Sequence, residues 1–344
     1  MGPEPMRACR MGPEPMRGLS HGSRLLALEP CALNGERVCR ARDRGSQHAK
    51  GEGVNGLEAN DLKDLGSPKL LSLRQRVSEM GSALVCFSGG VDSAFVLLVA
   101  HEVLGTRAVG MTAVSPSLAP FEREAAIAIA KQIGARHELV ESHEIERPGY
   151  VANGADRCFH CKTELYDIAE KKREQWGLDY VINGTNIDDL GDYRPGLEAA
   201  KTAKVRSVLV ECGFHKDDVR RAAHLLGLAI WDKPASACLS SRIPYGTEVT
   251  RERLAQIGGL EAELRALGLR QVRVRWHGLG ATAPARALAR VEVAREELAR
   301  AFEMRDAIVK AGSRFGFAYT TLDLQGYRTG SHNEVLVGNS LRVV

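Results

Sequence analysis

The order of hydrophobic and polar positions becomes regular at about residue 66 and then predicts alternating strands and helices. An amphipathic pattern at 70–80 predicts a helix, and the apolar run ALVCF at 83–87 predicts a buried strand. Three further apolar runs between residues 108 and 184 are separated by patterns with helical periodicity. This alternation favours an α/β domain with a doubly wound parallel sheet, which we assign to residues 66–235.

The pattern changes after about residue 235. Helical patterns and strand patterns still follow one another, but the strands become amphipathic and the segments no longer repeat as strand, glycine turn and helix. The predicted helices cover 250–268 and 295–312, and the predicted strands cover 271–278, 287–294 and 316–324. This order predicts a smaller α+β domain over residues 236–344.

Residues 1–65 show no apolar periodicity. The heptapeptide MGPEPMR occurs at 1–7 and again at 11–17, and Gly, Arg and Ser are frequent in the sequence that follows. Sequence of this kind buries too little apolar surface to offset the entropy lost on folding. We therefore expect a disordered and dispensable extension, with a functional tail as the alternative.

Composition narrows the class of protein. A chain of 344 residues with 44% hydrophobic residues is long enough for two globular domains. No apolar run is long enough to span a bilayer and no secretory signal begins the chain, so we expect a cytoplasmic protein without a membrane partner. The eight scattered cysteines are expected to be mostly free thiols, and a net charge of +4 gives little support for nucleic-acid binding.

The stretch SGGVDS lies between the buried strand at 83–87 and the next predicted helix. Glycines at this position allow a tight turn whose N–H groups bind phosphate oxygens, and the helix dipole favours their negative charge. The lysine of the kinase-type P-loop is missing, and an empty glycine-rich turn is the alternative. The candidate nucleotide-binding residues are Ser88, Gly89, Gly90, Asp92 and Ser93, with Asp92 also a candidate catalytic residue.

A second polar stretch, INGTNIDDLGDYRPG at 182–196, begins where a parallel strand is expected to end. Ligands bind at that edge of an open α/β sheet, although an acidic loop there can also be merely solvated. The candidate nucleotide and Mg²⁺ residues in this stretch are Gly184, Asp188, Asp189, Asp192 and Arg194. Thr112, near the end of another strand, is either an adenine contact or only a strand terminus.

Cys158 and Cys161 form a lone C-x-x-C pair, with no second pair elsewhere in the chain. Two thiols at this spacing suit a redox disulfide, a zinc site completed by other ligands, or an iron–sulfur cluster completed by a third cysteine. Unligated thiols are the remaining alternative. Cys86 and Cys212 are expected to be packing residues.

Arg273 and Arg275 alternate along a predicted strand and therefore point to the same face. Two guanidinium groups on one face suit a phosphate monoester, because each presents paired N–H donors. A solvated strand face is the alternative.

Several motifs together resemble a known family. SGGVDS is similar to the PP-loop of the ATP pyrophosphatase superfamily, whose members release pyrophosphate and leave AMP on a substrate. Its combination with NGTNIDDLGDYRPG, WDKPASACLSSRIPYG, VRVRWHG and TLDLQGYRTGSHNE resembles the LarE family over about residues 66–344. That resemblance implies an ATP- and Mg²⁺-dependent sulfur transferase of nickel-pincer nucleotide cofactor synthesis. The implied enzyme is a homo-oligomer that converts a carboxylate of pyridinium-3,5-biscarboxylic acid mononucleotide into a thiocarboxylate.

The resemblance also suggests roles for individual residues. One branch of the family has a single cysteine at the position of Cys238, which gives up its own sulfur and becomes dehydroalanine. Another branch has a C-x-x-C pair as well and resembles a three-thiolate [4Fe-4S] protein, with Cys158, Cys161 and Cys238 as its catalytic ligands here. The implied substrate-binding residues are Ser241, Arg242, Glu261, Arg273, Arg275 and Glu292.

The chain departs from the family pattern in the long N-terminal extension and in GLGATAPARA, which looks like an insertion between two strands. Two other functions fit some of the same features. A PP-loop tRNA thiolase can also use three cysteines around a cluster, but an aromatic content of 5% disfavours an RNA-binding surface. A regulatory module that binds nucleotide without turnover is the other alternative.

Overall fold

The computed structural model describes residues 67–191, 195–234, 236–280 and 286–328. They form an α/β fold with a four-stranded parallel sheet and a separate three-stranded mixed sheet toward the C-terminus, which confirms the predicted fold class. The helices are α1 (Pro68–Ser78), α2 (Val91–Leu104), α3 (Pro120–Ile133), α4 (Pro148–Val151), α5 (Arg157–Gln175), α6 (Pro195–Thr202), α7 (Val208–Glu211), α8 (Lys216–Leu225), α9 (Arg251–Ala266), α10 (Leu298–Glu303) and α11 (Arg305–Arg314). The strands are β1 (Ala83–Cys86), β2 (Ala108–Val114), β3 (Arg136–Glu141), β4 (Tyr180–Ile182), β5 (Val272–Gly278), β6 (Ala287–Val293) and β7 (Tyr319–Leu322).

The parallel sheet has the strand order β3-β2-β1-β4, so β1 lies between two partners. One face of β1 packs with α1, α2, α3 and α8, and the other packs with α5 and α6. Burial on both faces explains why β1 is apolar at every position rather than alternating. The carboxyl ends of β1 and β4 therefore lie side by side, and each leads directly into one of the polar stretches.

The smaller sheet has the order β5-β6-β7, with β5 antiparallel to β6 and β6 parallel to β7. Helix α9 covers it, because the buried side chains Leu254, Ile257, Leu260 and Leu264 recur along one face of the helix. Thr250 caps α9, with its side chain accepting a hydrogen bond from the N–H of Arg253.

Three element boundaries differ from the pattern-based prediction. The sequence pattern predicts a helix that begins at Cys161, but α5 begins at Arg157, so Cys158 as well as Cys161 lies within its first turns. The helix predicted at 295–312 is divided at Met304, and Ala301 and Ile308 on the two sides of the break pack into the same core. The last predicted strand is only Tyr319–Leu322, because the turn at Gly316, with a φ of +82°, takes up the preceding residues.

Among the described residues, no helix is long and apolar enough to cross a membrane. The expected extension at 1–65, together with Asp192, Arg194 and parts of the 278–287 and 321–334 stretches, lies outside the described residues. The domain boundary placed at residue 235 remains a prediction.

Candidate active site

The SGGVDS loop joins the buried end of β1 to the N-terminus of α2. Its backbone turns at Gly89, where φ is +74° and a Cβ would lie 2.9 Å from the Cβ of Ala126. The hydroxyl of Ser93 closes the loop, accepting from the N–H of Ser88 at 3.1 Å and lying 3.1 Å from the carbonyl oxygen of Gly90. Gly90 stands at the N-cap without a side chain, so the first N–H groups of α2 are left for an anion.

The loop after β4 lies directly against the SGGVDS loop. A Cβ on Gly184 would be 2.7 Å from the backbone nitrogen of Ser93, so the two segments approach as closely as backbones can. The side-chain amide of Asn186 donates to Asp92 at 3.2 Å, and its backbone N–H donates to Asp189 at 3.2 Å. Burial raises the pKa of Asp92, and the charge of Asp189 raises it further. Two close carboxylates beside the SGGVDS loop are suited to a divalent cation.

We expect Gly184→Ala to weaken ATP binding, because a methyl group at this position collides with backbone rather than with a movable side chain. The KM for ATP should rise, and stability should fall by about 1–3 kcal/mol, the usual cost of overpacking. Gly191→Ala is the matched control, since a Cβ there would meet nothing within 4 Å. Thermal melting and ATP-dependent pyrophosphate release measure the two effects. Equal behaviour of the two variants would contradict the proposed close approach.

The two adjacent acids of the 182–196 stretch have different surroundings. Asp188 accepts hydrogen bonds from the N–H of Lys216 at 2.7 Å and from His215 Nδ1 at 2.8 Å, so it anchors the start of α8. The bond from the Lys216 N–H, followed by that from His215, lowers the pKa of Asp188. Asp189 is buried and lies 3.2 Å from the Lys216 ammonium group, on the side of Asp92. Of the two, Asp189 is placed closer to a nucleotide site.

Thr112 lies within β2 rather than at its end, and its side chain is buried. Its hydroxyl donates to the carbonyl oxygen of Phe87 at 2.7 Å and lies 2.8 Å from His137 Nε2. Because the hydroxyl has one proton, the His137 ring nitrogen acts as the donor to it. Thr112 thus connects β2 to the end of β1 and to β3. A contact between Thr112 and adenine remains a prediction.

Lys233 is a residue of this site that the sequence analysis missed. Its ammonium group donates to the carbonyl oxygen of Gly89 at 3.1 Å and pairs with Glu122 at 2.6 Å. It therefore holds the stretch 231–234 against the SGGVDS loop. Its position in the KPASAC stretch, five residues before Cys238, was the available signal.

Cys158, Cys161 and Cys238 share one neighbourhood. Cys158 and Cys238 are exposed, whereas Cys161 packs partly against the C-terminal core. Burial raises the pKa of Cys161 to about 12, and the charge of Cys238 is the next contribution. Arg157 interacts with the charges of both Cys238 and Cys158. Arg157, directly before Cys158, also donates to the carbonyl oxygen of Ser240 at 2.9 Å, which brings the segment of Cys238 to the start of α5.

Three soft thiolate donors fit an iron–sulfur cluster by their chemistry. Within the described ranges, however, no three His, Cys, Asp or Glu side chains are already arranged as metal ligands. Cluster binding would therefore require the cysteine side chains to reorient.

The segment that carries Cys238 is fixed by a buried ion pair. Arg242 donates from Nη1 to the carbonyl oxygens of Ala237 at 2.6 Å and Cys238 at 2.9 Å. Its other nitrogens pair with both oxygens of Glu261, at 2.9 and 3.3 Å, and Glu261 is 0% exposed. Ser241 also donates to the carbonyl oxygen of Cys238, at 2.8 Å. Arg242, Glu261 and Ser241 thus orient the cysteine backbone.

Arg273 and Arg275 extend from the same face of β5, but their surroundings differ. Arg275 is buried, makes two 3.0 Å bonds to Glu292 and donates to the carbonyl oxygen of Ser241 at 2.9 Å. Arg273 is half-buried, with its guanidinium 4.5 Å from the centre of the Tyr327 ring. Burial lowers the pKa of Arg273, and the charge of Arg242 lowers it further. Arg273 is the more accessible candidate for an anionic group.

No protein-family model matches the chain. The pyridinium-3,5-bisthiocarboxylic acid mononucleotide synthase of Lactiplantibacillus plantarum is 34% identical over 269 residues, 78% of this chain and 95% of that protein. An uncharacterized protein of Synechocystis is 48% identical over 270 residues, 78% of this chain and 98% of its own length. The GMP synthase of Aeropyrum pernix is 26% identical over 229 residues, 60% of this chain and 44% of the synthase.

Proposed function

The chain belongs to the LarE family of pyridinium-3,5-bisthiocarboxylic acid mononucleotide synthases, and from that membership we propose the reaction and the residues that perform it. The proposed enzyme is a homo-oligomer that uses ATP to adenylate a carboxylate of pyridinium-3,5-biscarboxylic acid mononucleotide. It then exchanges a carboxylate oxygen for sulfur, giving the thiocarboxylate of the nickel-pincer nucleotide cofactor.

The observation that carries this proposal is the contact between Lys233 and the SGGVDS loop. Lys233 binds the carbonyl oxygen of Gly89, and Cys238 follows five residues later on the same segment. The N–H of Leu239 then donates to the carbonyl oxygen of Ser117 at 2.9 Å, at the same edge of the parallel sheet. A substrate bound between the SGGVDS loop and Cys238 could thus react first with ATP and then receive sulfur. Activation followed by sulfur transfer requires both groups to be near the same substrate.

In the first step, the substrate carboxylate attacks the α-phosphorus of ATP and pyrophosphate leaves. The N–H groups at the start of α2 stabilise the charge of the phosphates, and Ser88 and Ser93 keep the loop closed around them. Asp92 and Asp189 would hold Mg²⁺, which neutralises charge on the departing pyrophosphate. The carboxylate is already ionised at neutral pH, so this step requires no side-chain general base.

In the second step, the acyl carbon receives sulfur and AMP leaves. Cys158, Cys161 and Cys238 would hold a [4Fe-4S] cluster, and that group would supply the sulfur at the oxidation level of sulfide. Arg242 and Ser241 orient Cys238 through its carbonyl oxygen, while Glu261 holds Arg242 in place. Sacrifice of the Cys238 sulfur is the alternative known in the family, and the C-x-x-C pair in the same neighbourhood favours the cluster.

Pyrophosphate release tests the first step directly. We expect release to depend on pyridinium-3,5-biscarboxylic acid mononucleotide and to be absent with bulk tRNA as the only added substrate. Release that required tRNA would replace this proposal by a tRNA thiolase, and a protein that bound ATP without turnover would be the regulatory module.

Arg273→Ala is expected to raise the KM for the mononucleotide much more than the KM for ATP, because Arg273 is the more accessible cation on the β5 face. The loss in kcat/KM should correspond to about 1.5–3 kcal/mol, the range for a hydrogen bond to a charged group. Arg270→Ala, at an exposed position just before β5, is the control and should leave both values near those of the wild type. Equal changes in both KM values for Arg273→Ala would place this residue outside the substrate phosphate site.

A further inference from the structure

Asn153 has an unusual backbone conformation for a buried residue. Its φ is +54°, in the left-handed region, and its side chain is 0% exposed. Asparagine tolerates this region better than most residues, but the conformation persists only where surrounding contacts support it. Asn153 lies between α4 and α5, four residues before Arg157, the residue that precedes the C-x-x-C pair.

The contacts of Asn153 are made with the segment that follows Cys238. Its Nδ2 lies 3.3 Å from the carbonyl oxygen of Ile243, 2.8 Å from that of Pro244 and 2.9 Å from that of Thr247. The backbone carbonyl oxygen of Asn153 accepts a hydrogen bond from the N–H of Gly246 at 3.0 Å. The 243–247 turn is therefore folded around one side-chain amide that comes from about ninety residues earlier in the chain.

Arg157 extends the connection toward the cysteines. It is buried, and its Nη1 donates to Asn153 Oδ1 at 2.6 Å and to the carbonyl oxygen of Ser240 at 2.9 Å. The hydroxyl of Tyr150 makes a further hydrogen bond to the Ser240 hydroxyl. These hydrogen bonds therefore connect Arg157, the residue before Cys158, to Ser240, the second residue after Cys238.

We propose that Asn153 is a positioning residue that holds the Cys238 segment against the start of α5, so that a thiophilic metal is bound by side-chain rearrangement alone. This inference rests on the proposed function, because that function is what gives the three cysteines a common ligand. We call the hydrogen bonds of Asn153, Arg157 and Tyr150 to residues 240–247 the clamp. Without the clamp, the Cys238 segment and the start of α5 would have to dock at the moment of metal binding, and the entropy lost in ordering them would reduce the affinity for the metal.

The test uses Cd²⁺ alone as a probe of the reduced full-length chain under anaerobic conditions. Thiolate binding is followed by the thiolate-to-cadmium charge-transfer absorption, and affinity by competition with a chelator. Asn153→Gly removes the amide but suits the left-handed backbone, so the fold should persist. We expect the Cd²⁺ affinity of this variant to fall about 10- to 100-fold, the usual effect of losing a group that orients metal ligands. The melting temperature should fall, because the carbonyl oxygens of the 243–247 turn lose their donor, so Cd²⁺ affinity is measured well below the melting transition.

Two variants make the result specific. Lys204→Gly is the matched backbone control, because Lys204 also has a φ of +54° but is exposed and far along the chain from the cysteines. It should bind Cd²⁺ as the wild type does. Cys238→Ser should lose the affinity that depends on the third thiol, which identifies the site being measured.

Wild-type Cd²⁺ affinity in Asn153→Gly, with a loss in Cys238→Ser, would overturn the positioning role and leave the three-cysteine site standing. Unchanged affinity in Cys238→Ser would overturn the three-cysteine site, and the inference with it. If Asn153→Gly does not fold, Tyr150→Phe removes one hydroxyl from the same connection. A weaker Cd²⁺ affinity in Tyr150→Phe supports the clamp, and wild-type affinity overturns it.

Discussion

Asp92→Asn is expected to abolish ATP-dependent pyrophosphate release while leaving the protein folded. Asp92 lies in the first turn of α2, accepts a hydrogen bond from Asn186 and shares its surroundings with Asp189. Asparagine can occupy the same space but cannot supply the charge needed to hold a metal on the phosphates. We expect a loss of at least about 100-fold in kcat, as for removal of other groups that stabilise transition-state charge.

Ser88→Ala should reduce the same activity, because it removes a hydroxyl 3.1 Å from Ser93 that helps to close the loop. Asp179→Asn is the matched control for charge and size. Asp179 precedes β4 at the opposite edge of the sheet, where it accepts a hydrogen bond from Ser82 at 2.5 Å. Pyrophosphate release at the wild-type rate by both Asp92→Asn and Ser88→Ala would refute the assignment of the nucleotide loop.

Replacement of Cys158 or Cys161 by alanine is expected to abolish sulfur transfer and to leave adenylation intact. All three cysteines share the proposed cluster, so losing one thiolate removes a ligand, whereas pyrophosphate release requires only the loop between β1 and α2. Measurement of pyrophosphate and of thiocarboxylate in the same reaction separates the two steps. The wild-type protein should also show the broad visible absorption of a thiolate-bound cluster after anaerobic reconstitution.

Cys212→Ala is the control for this pair of variants, because Cys212 lies near Ser72 on α1 and is expected only to pack. Cys238→Ala does not distinguish the two sulfur sources, since both require that thiol. The informative case is the double variant at Cys158 and Cys161. Full thiocarboxylate formation by that variant, with dehydroalanine appearing at residue 238, would contradict the cluster and support a sacrificial Cys238.

The nucleotide edge of the fold was predictable because its signals are local. A fully apolar strand, two glycines and a helix with a long apolar sequence follow one another over residues 83–104, and the structure has β1, a turn and α2 in that order. The glycine at residue 89 is required by its own backbone angle and by Ala126. Such constraints act on short stretches and can therefore be recognised in a sequence.

The supports of the cysteine segment were not predictable, because they depend on contacts between distant residues. The family resemblance implies that Arg242 and Glu261 bind substrate, but the sequence does not indicate that they form a buried pair with each other. Arg275 and Glu292 pair in the same way across neighbouring strands, in a register set by the β5–β6 hairpin. Asn153 belongs to no recognised motif, whereas Lys233 lies in WDKPASACLSSRIPYG. The role of each appears only when the carbonyl oxygens that it binds are known.

The most direct test is an anaerobic reaction of the reconstituted protein with ATP, sulfide and pyridinium-3,5-biscarboxylic acid mononucleotide, analysed by mass spectrometry of the small-molecule products. Exchange of oxygen for sulfur in a carboxylate of the mononucleotide is predicted, with AMP and pyrophosphate formed together and more product than protein chains. Release of pyrophosphate and AMP without any thiocarboxylate, from a protein shown to carry its cluster, would contradict the proposed sulfur transfer.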